Sequence, residues 1–61
     1  MKFVRVTDGI NAFLIPLIDV ERIDREEDPE VATMIRANGM WFACISENNP
    51  IPKMEHCIFE F

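Results

Sequence analysis

The side chains with the most chemical potential in this sequence are one histidine and two cysteines, His56, Cys57 and Cys44. Thiolates and imidazoles are typical zinc ligands, and a cysteine beside a histidine is a typical nucleophile with its base. Adjacent residues of a strand point to opposite faces, and the chain has no Cys-x-x-Cys or His-x-x-x-His spacing. Only symmetry across a dimer would complete a ligand set. We therefore expect no metal, no cofactor and no enzymatic activity.

Both cysteines lie in apolar runs that are typical of strands, at residues 42–45 and 57–59. Two cysteines are too few for a disulfide framework, and a reducing compartment disfavours a bridge between them. The pattern predicts buried, unreactive thiols.

Carboxylates crowd the stretch 24–30, at Asp24, Glu26, Glu27, Asp28 and Glu30. Such a cluster suits calcium, but its spacing does not match the loop with a central glycine that typical calcium sites use. The pattern favours a solvated charged loop. A docking patch for a basic partner is the functional alternative.

Large hydrophobic side chains are the candidates for binding a partner. In the run 40–42, Trp41 faces opposite to Met40 and Phe42 if the run is a strand. One face of the sheet then carries a large aromatic side chain, which is a typical interface anchor, although a core role fits the pattern equally well. The interface candidates are Phe13, Met40, Trp41, Phe42, Phe59 and Phe61.

Short strands are the elements that would position these residues. Residues 2–7 are β-branched and aromatic, and Asp8-Gly9 is a turn signal. In residues 11–18 the odd-numbered and the even-numbered positions are both largely apolar. This suits a strand buried on two faces, or one that is buried on one face and covered by a partner on the other. Pro16 has no N–H, so this strand runs along an edge or breaks there. A last strand covers 56–61.

Residues 31–37 and 40–46 flank Asn38-Gly39, which favours a hairpin because both central residues of a type I′ turn need positive φ. A helix over 29–37 competes, since the sequence also has a helix start and a glycine stop. Val20 and Ile23 lie three apart, as on one face of a helical turn, and predict a short turn or 3₁₀ segment. The fold class is therefore mostly β, an antiparallel sheet of about five short strands with at most one helical turn.

The chain length and composition predict self-association. The 61 residues make a single small domain, 1–61, and 49% of them are hydrophobic. A domain of this size has little interior in which to hide so many apolar side chains. We expect homo-oligomerisation, most simply as a two-fold dimer.

The net charge of −5, from 11 acidic and 6 basic residues, argues against nucleic acid and against an anionic membrane surface as partners. No apolar run approaches the ~20 residues of a transmembrane helix, and no basic leader precedes an apolar stretch. We expect a cytoplasmic protein with no membrane attachment.

Residues 3–47 carry an ordered series of fold-making positions: residues 3–7, Gly9, residues 13–15, Val20, Ile23, Ile35, Asn38-Gly39 and Phe42. In this pattern the chain resembles the short bacterial proteins of the FlbD type and small prophage proteins like them. Pro16 and Ser46-Glu47 depart from the pattern, and the tail from Asn48 has no counterpart. The resemblance implies a small antiparallel sheet, a role in regulation or protein contact, and no catalytic residues. It also suggests a phage-encoded accessory protein.

These observations predict a non-enzymatic binding or regulatory module that acts as a homo-oligomer and binds a host protein or a small ligand. One alternative is an acidic inhibitor that mimics nucleic acid, which would line one face with carboxylates. The other is a structural accessory subunit, which would need a flat apolar patch and higher-order assembly.

Overall fold

A computed structural model describes residues 1–24 and 30–61, and within them the chain is mostly β. Its antiparallel strands are β1 (Lys2–Thr7), β2 (Ala12–Pro16), β3 (Val20–Ile23), β4 (Met34–Ala37), β5 (Met40–Cys44) and β6 (Ile58–Glu60). Two single 3₁₀ turns, Leu17–Asp19 and Met54–His56, are the helical content of this part of the chain. The predicted fold class is confirmed, although the described chain has two helical turns where at most one was predicted.

Strand β1 pairs with three other strands of the sheet, whose order is β2-β1-β5-β4-β3 with β6 off this path. One side of β1 pairs with β2 along five residues. The other side is shared, because β5 pairs with its last two residues and β6 with its first three. Arg5 lies at the change of partner, where its N–H donates to the Cys57 carbonyl at 2.8 Å and its C=O accepts from the Ile45 N–H at 3.2 Å. Strand β1 is thus bonded on both sides from Phe3 to Thr7.

The sheet has to curl because its two outer strands, β2 and β3, are consecutive in the chain. In a flat sheet of this order they would lie roughly 19 Å apart, at about 4.8 Å a strand. The link between them is the 3₁₀ turn Leu17–Asp19, and four residue steps span at most about 14 Å. The core fills the concave side of the curl. Its buried residues are Val4, Val6, Ile35, Ala37, Phe42, Cys44 and Cys57.

The prediction of a turn or 3₁₀ segment around Val20 and Ile23 is wrong in its position. The 3₁₀ turn precedes these residues, and they belong to strand β3. The register of β3 against β4 shifts between Val20 and Arg22. A bulge inserts one residue and reverses the alternation, so two residues three apart face the same side, as they would on a helical turn. Of the predicted charged loop, residues 25–29 lie outside the described residues.

The predicted Asn-Gly hairpin is confirmed, with φ of 51° at Asn38 and 75° at Gly39. The competing helix over 29–37 is wrong where the chain is described, because Met34–Ala37 is a strand paired with β5. The prediction for Pro16 also holds, since it is the last residue of an edge strand.

The last strand is shorter than the predicted 56–61 and begins at Ile58. His56 instead closes the 3₁₀ turn, since its Nδ1 accepts the Lys53 N–H at 3.0 Å and its own N–H donates to the Lys53 carbonyl at 2.9 Å. Within the described ranges, no helix has the length and apolar character that crossing a bilayer requires.

Candidate functional site

Strand β2 presents one edge that no other strand of the described chain covers. In an antiparallel strand the N–H and C=O of a residue point to the same side, and successive residues alternate. Arg5 directs both of its groups away from β2. Val4 and Val6 therefore direct theirs toward β2, where their register partners are Ile15 and Phe13.

The remaining residues of β2 direct their backbone groups outward. Ala12 and Leu14 each present an N–H and a C=O at the free edge, and Pro16 presents a C=O only. Pro16 thus costs the β1–β2 ladder no hydrogen bond. An outward-facing position of an edge strand is one of the places in a sheet where proline is tolerated.

A cleft of about 540 Å³ opens beside this free edge, and we call it the β2 cleft. Strand β2 lines it with four consecutive residues, 13–16, and the β4–β5 hairpin adds Ala37, Asn38 and Phe42. Side chains of consecutive residues point to opposite faces. A cleft that touches four in a row therefore runs along the strand edge and not over one face of the sheet.

Two aromatic rings form the apolar part of the β2 cleft. The Phe13 and Phe42 centroids lie 5.8 Å apart with an interplanar angle of 73°, which is an edge-to-face contact. Phe42 is buried at 8% exposure, whereas Phe13 is 41% exposed. Phe42 therefore belongs to the core, and only the small exposed part of its side chain lines the cleft. The Phe13 ring is held on one side and open on the other.

The charged groups of the β2 cleft are carboxylates. Asp19 and Glu21 line it, and none of the described residues around it is basic. Glu21 is held in place because its Oε1 accepts the Gly39 N–H at 3.2 Å. Sequence reasoning named Phe13 but missed both acids, which come to the cleft only through the turn that follows Pro16.

A second apolar surface lies on the outer face of the sheet, and we call it the outer patch. It consists of Phe3, Leu14, Phe59 and Phe61, of which Phe3 and Phe59 are direct register partners. The rings of Phe3 and Phe61 meet edge to face at 5.5 Å, and Phe61 is 76% exposed. The predicted candidates Phe59 and Phe61 come together here with Leu14, which the sequence reasoning did not single out.

Arg5 lies within the outer patch, where it borders a shallow depression of about 230 Å³ with Leu14, Phe59 and Phe61. Its Nη1 is 3.4 Å from Oε1 of Glu47. The Arg5 cation and the Glu47 anion therefore lie beside an apolar surface.

The remaining candidates, Met40 and Trp41, lie on the hairpin. Trp41 is 43% exposed while its neighbour Phe42 is buried, so their side chains take opposite faces as predicted. The Arg36 guanidinium carbon lies 5.6 Å from the centroid of the Trp41 ring, within the range of a cation–π contact. Trp41 thus already has a cationic partner in its own chain.

The two cysteines are buried and free, as predicted. Burial, reinforced by the neighbouring Cys57 thiol, raises the pKa of Cys44 from 9.0 to about 12. Burial also raises the pKa of Cys57, although its hydrogen bond with Cys44 and the charge of Arg5 act in the opposite direction. Among the residues that the structure describes, no three side chains of His, Cys, Asp or Glu form a group that could hold a metal ion.

No protein-family model, curated protein or solved structure matches this chain. A functional assignment therefore rests on the geometry of the β2 cleft and of the outer patch.

Proposed function

We propose that this chain is a non-enzymatic binding module that acts as a homodimer, with the outer patch as the dimer surface and the β2 cleft as the site for a protein partner. One observation carries the proposal. Within the described residues, 7 side chains form the buried core, whereas 12 large apolar side chains remain exposed. A chain that leaves so much apolar surface in water is typical of proteins that bury it against a partner.

The outer patch suits a second copy because its charges are self-complementary. Leu14, Phe59 and Phe61 leave on the order of 300 Å² of apolar surface exposed. A standard interface buries roughly 800 Å² on each partner, so these side chains would form its centre and polar groups its rim. Arg5 and Glu47 are neighbours of opposite charge. A two-fold axis through the patch can therefore set each of them against its opposite on the other copy.

Native mass spectrometry of the protein at micromolar concentration tests the homodimer. We expect a dimer for the unchanged chain and a monomer for Phe61→Lys, because a charge in the centre of an apolar interface loses its hydration without gaining a partner. Ile10→Lys is the matched control, since Ile10 is an exposed aliphatic residue of the β1–β2 turn and lies outside the outer patch. That variant should stay dimeric. A monomeric unchanged chain would disprove the homodimer.

A further inference from the structure

We infer that the β2 cleft binds an extended, basic segment of a partner protein, which adds to the free edge of β2 as a further strand. The inference rests on the proposed binding function and names the chemistry of the partner.

The backbone of β2 supplies the first argument. Ala12 and Leu14 present both N–H and C=O groups at the edge, and the structure shows no hydrogen bond across that edge within the described chain. An edge strand with open donors and acceptors is a template for an incoming extended chain, whose main-chain hydrogen bonds give affinity without regard to sequence.

The cleft itself supplies side-chain selectivity. Alternate side chains of an added strand would point toward the concave side, where Phe13 lies open beside Phe42. A volume of about 540 Å³ is in the range of typical ligand sites and admits one large apolar or aromatic side chain. Phe13 offers that side chain an aromatic face that is already fixed by its contact with Phe42, so little conformational entropy is lost on binding.

Charge decides between a basic partner and a second copy of this chain. Asp19 and Glu21 line the cleft without a basic residue among the described lining, and the chain carries a net charge of −5. Two acidic copies joined through this cleft would repel each other, whereas lysine or arginine side chains beside the apolar anchor would be attracted. The outer patch, which carries both signs of charge, is where a second copy fits.

Fluorescence polarisation with a labelled peptide of alternating character, Lys-Val-Lys-Phe-Lys-Val-Lys, tests the inference. Its acidic counterpart, Glu-Val-Glu-Phe-Glu-Val-Glu, is the control ligand. We expect the basic peptide to bind, to bind more weakly as salt is added, and the acidic peptide not to bind. Phe13→Ala should weaken binding of the basic peptide by about tenfold or more, because truncating a central aromatic contact typically costs at least that factor.

Two sets of variants separate the backbone from the charges. Ala12→Pro removes one outward N–H without touching the ladder to β1 and should weaken binding by about tenfold, whereas Ala12→Ser keeps that N–H and should bind normally. The double variant Asp19→Asn with Glu21→Gln should reduce both the affinity and its salt dependence, while the new amide oxygen can still accept the Gly39 N–H. Far-ultraviolet circular dichroism confirms that each variant is folded.

The outcomes keep this inference distinct from the homodimer. Peptide binding that survives in monomeric Phe61→Lys supports the cleft independently of the outer patch. Equal binding by Ala12→Pro and Ala12→Ser would overturn strand addition, and equal binding of both peptides would overturn the basic partner. If Ala12→Pro abolishes the dimer, a second copy occupies the edge and the inference is wrong. A dimer that binds neither peptide would leave the homodimer standing and remove the cleft as a basic-segment site.

Discussion

The rings of Phe13 and Phe42 meet edge to face at 5.8 Å, yet one is half-exposed and the other buried. This contact joins the edge strand β2 to the core strand β5, although the two strands do not pair. In this aromatic pair, Phe42 is part of the core and Phe13 is part of the surface.

Replacing each ring by alanine should separate the two roles. Phe42→Ala removes a buried side chain and should cost about 3 to 5 kcal/mol of unfolding free energy. That is most of the roughly 3 to 9 kcal/mol expected for a domain of this size, so the variant should be largely unfolded. Phe13→Ala should cost about 1 to 2 kcal/mol, because its ring is open on one side. Urea unfolding followed by Trp41 fluorescence measures the unfolding free energy of both variants. Equal losses would contradict the assignment of Phe42 to the core and of Phe13 to the surface.

The hairpin turn makes a second prediction. Gly39 has φ of 75°, and a Cβ built on it would meet nothing within 4 Å. Gly39→Ala should therefore destabilise through backbone strain alone, by about 1 to 2 kcal/mol, since alanine disfavours the left-handed region. Gly39→Asn is the control and should lose less, because asparagine tolerates positive φ. Thermal unfolding of the three proteins distinguishes strain from a steric clash, which would penalise asparagine more than alanine.

A third prediction concerns alkaline pH. The pKa of Cys44 is raised to about 12 by burial and by the neighbouring Cys57 thiol. Above the ordinary thiol pKa of 9.0 the unfolded chain loses this proton while the folded chain keeps it. Stability should thus fall as the pH rises through this window, by up to about 1.4 kcal/mol for each pH unit. Unfolding free energies measured from pH 8 upward should decline less steeply in Cys44→Ala than in the unchanged chain.

The turn between β1 and β2 supports a prediction at acid pH. Asp8 Oδ1 accepts the N–H groups of Ile10 and Asn11, both at 2.8 Å. These two hydrogen bonds, of which the one from Asn11 has the larger effect, hold the pKa of Asp8 below its ordinary value. Their contribution to stability should be present at neutral pH and lost as the pH falls through the lowered pKa. Asp8→Asn keeps an oxygen acceptor but no ionisable group, so its stability should change less on acidification. The prediction is refuted if the unfolding free energies of both proteins fall equally as the pH is lowered.

Local signals in the sequence were sufficient for much of the fold. Asn38-Gly39 specified the hairpin because these two residue types tolerate positive φ, and Pro16 indicated an edge because it lacks an N–H. The helical interpretation of Val20 and Ile23 failed because a bulged strand gives the same spacing as a helical turn. No property of the residues themselves distinguishes these two structures.

The candidate site was predictable only in part. Phe13, Phe59 and Phe61 were named in advance as interface candidates because they are large aromatic residues. Asp19 and Glu21 were not, because they reach the β2 cleft only when the sheet curls around the Leu17–Asp19 turn. That curl is a consequence of strand order, which couples residues far apart in the chain and leaves no local pattern.

Strands β5 and β6 share one side of β1, and this arrangement also affects the rate of folding. Lys2 pairs with Glu60, and Arg5 with the backbone of Cys57 and Ile45, so the side of β1 that faces away from β2 is completed only by residues distant in sequence. The entropy of closing such long loops opposes folding before any of these contacts can stabilise the chain. We expect folding to be slower than in a sheet built from successive hairpins, with β1 and β6 joining the transition state together. Mutations at Val4 should then slow refolding more than mutations in the β4–β5 hairpin, which forms from neighbouring residues.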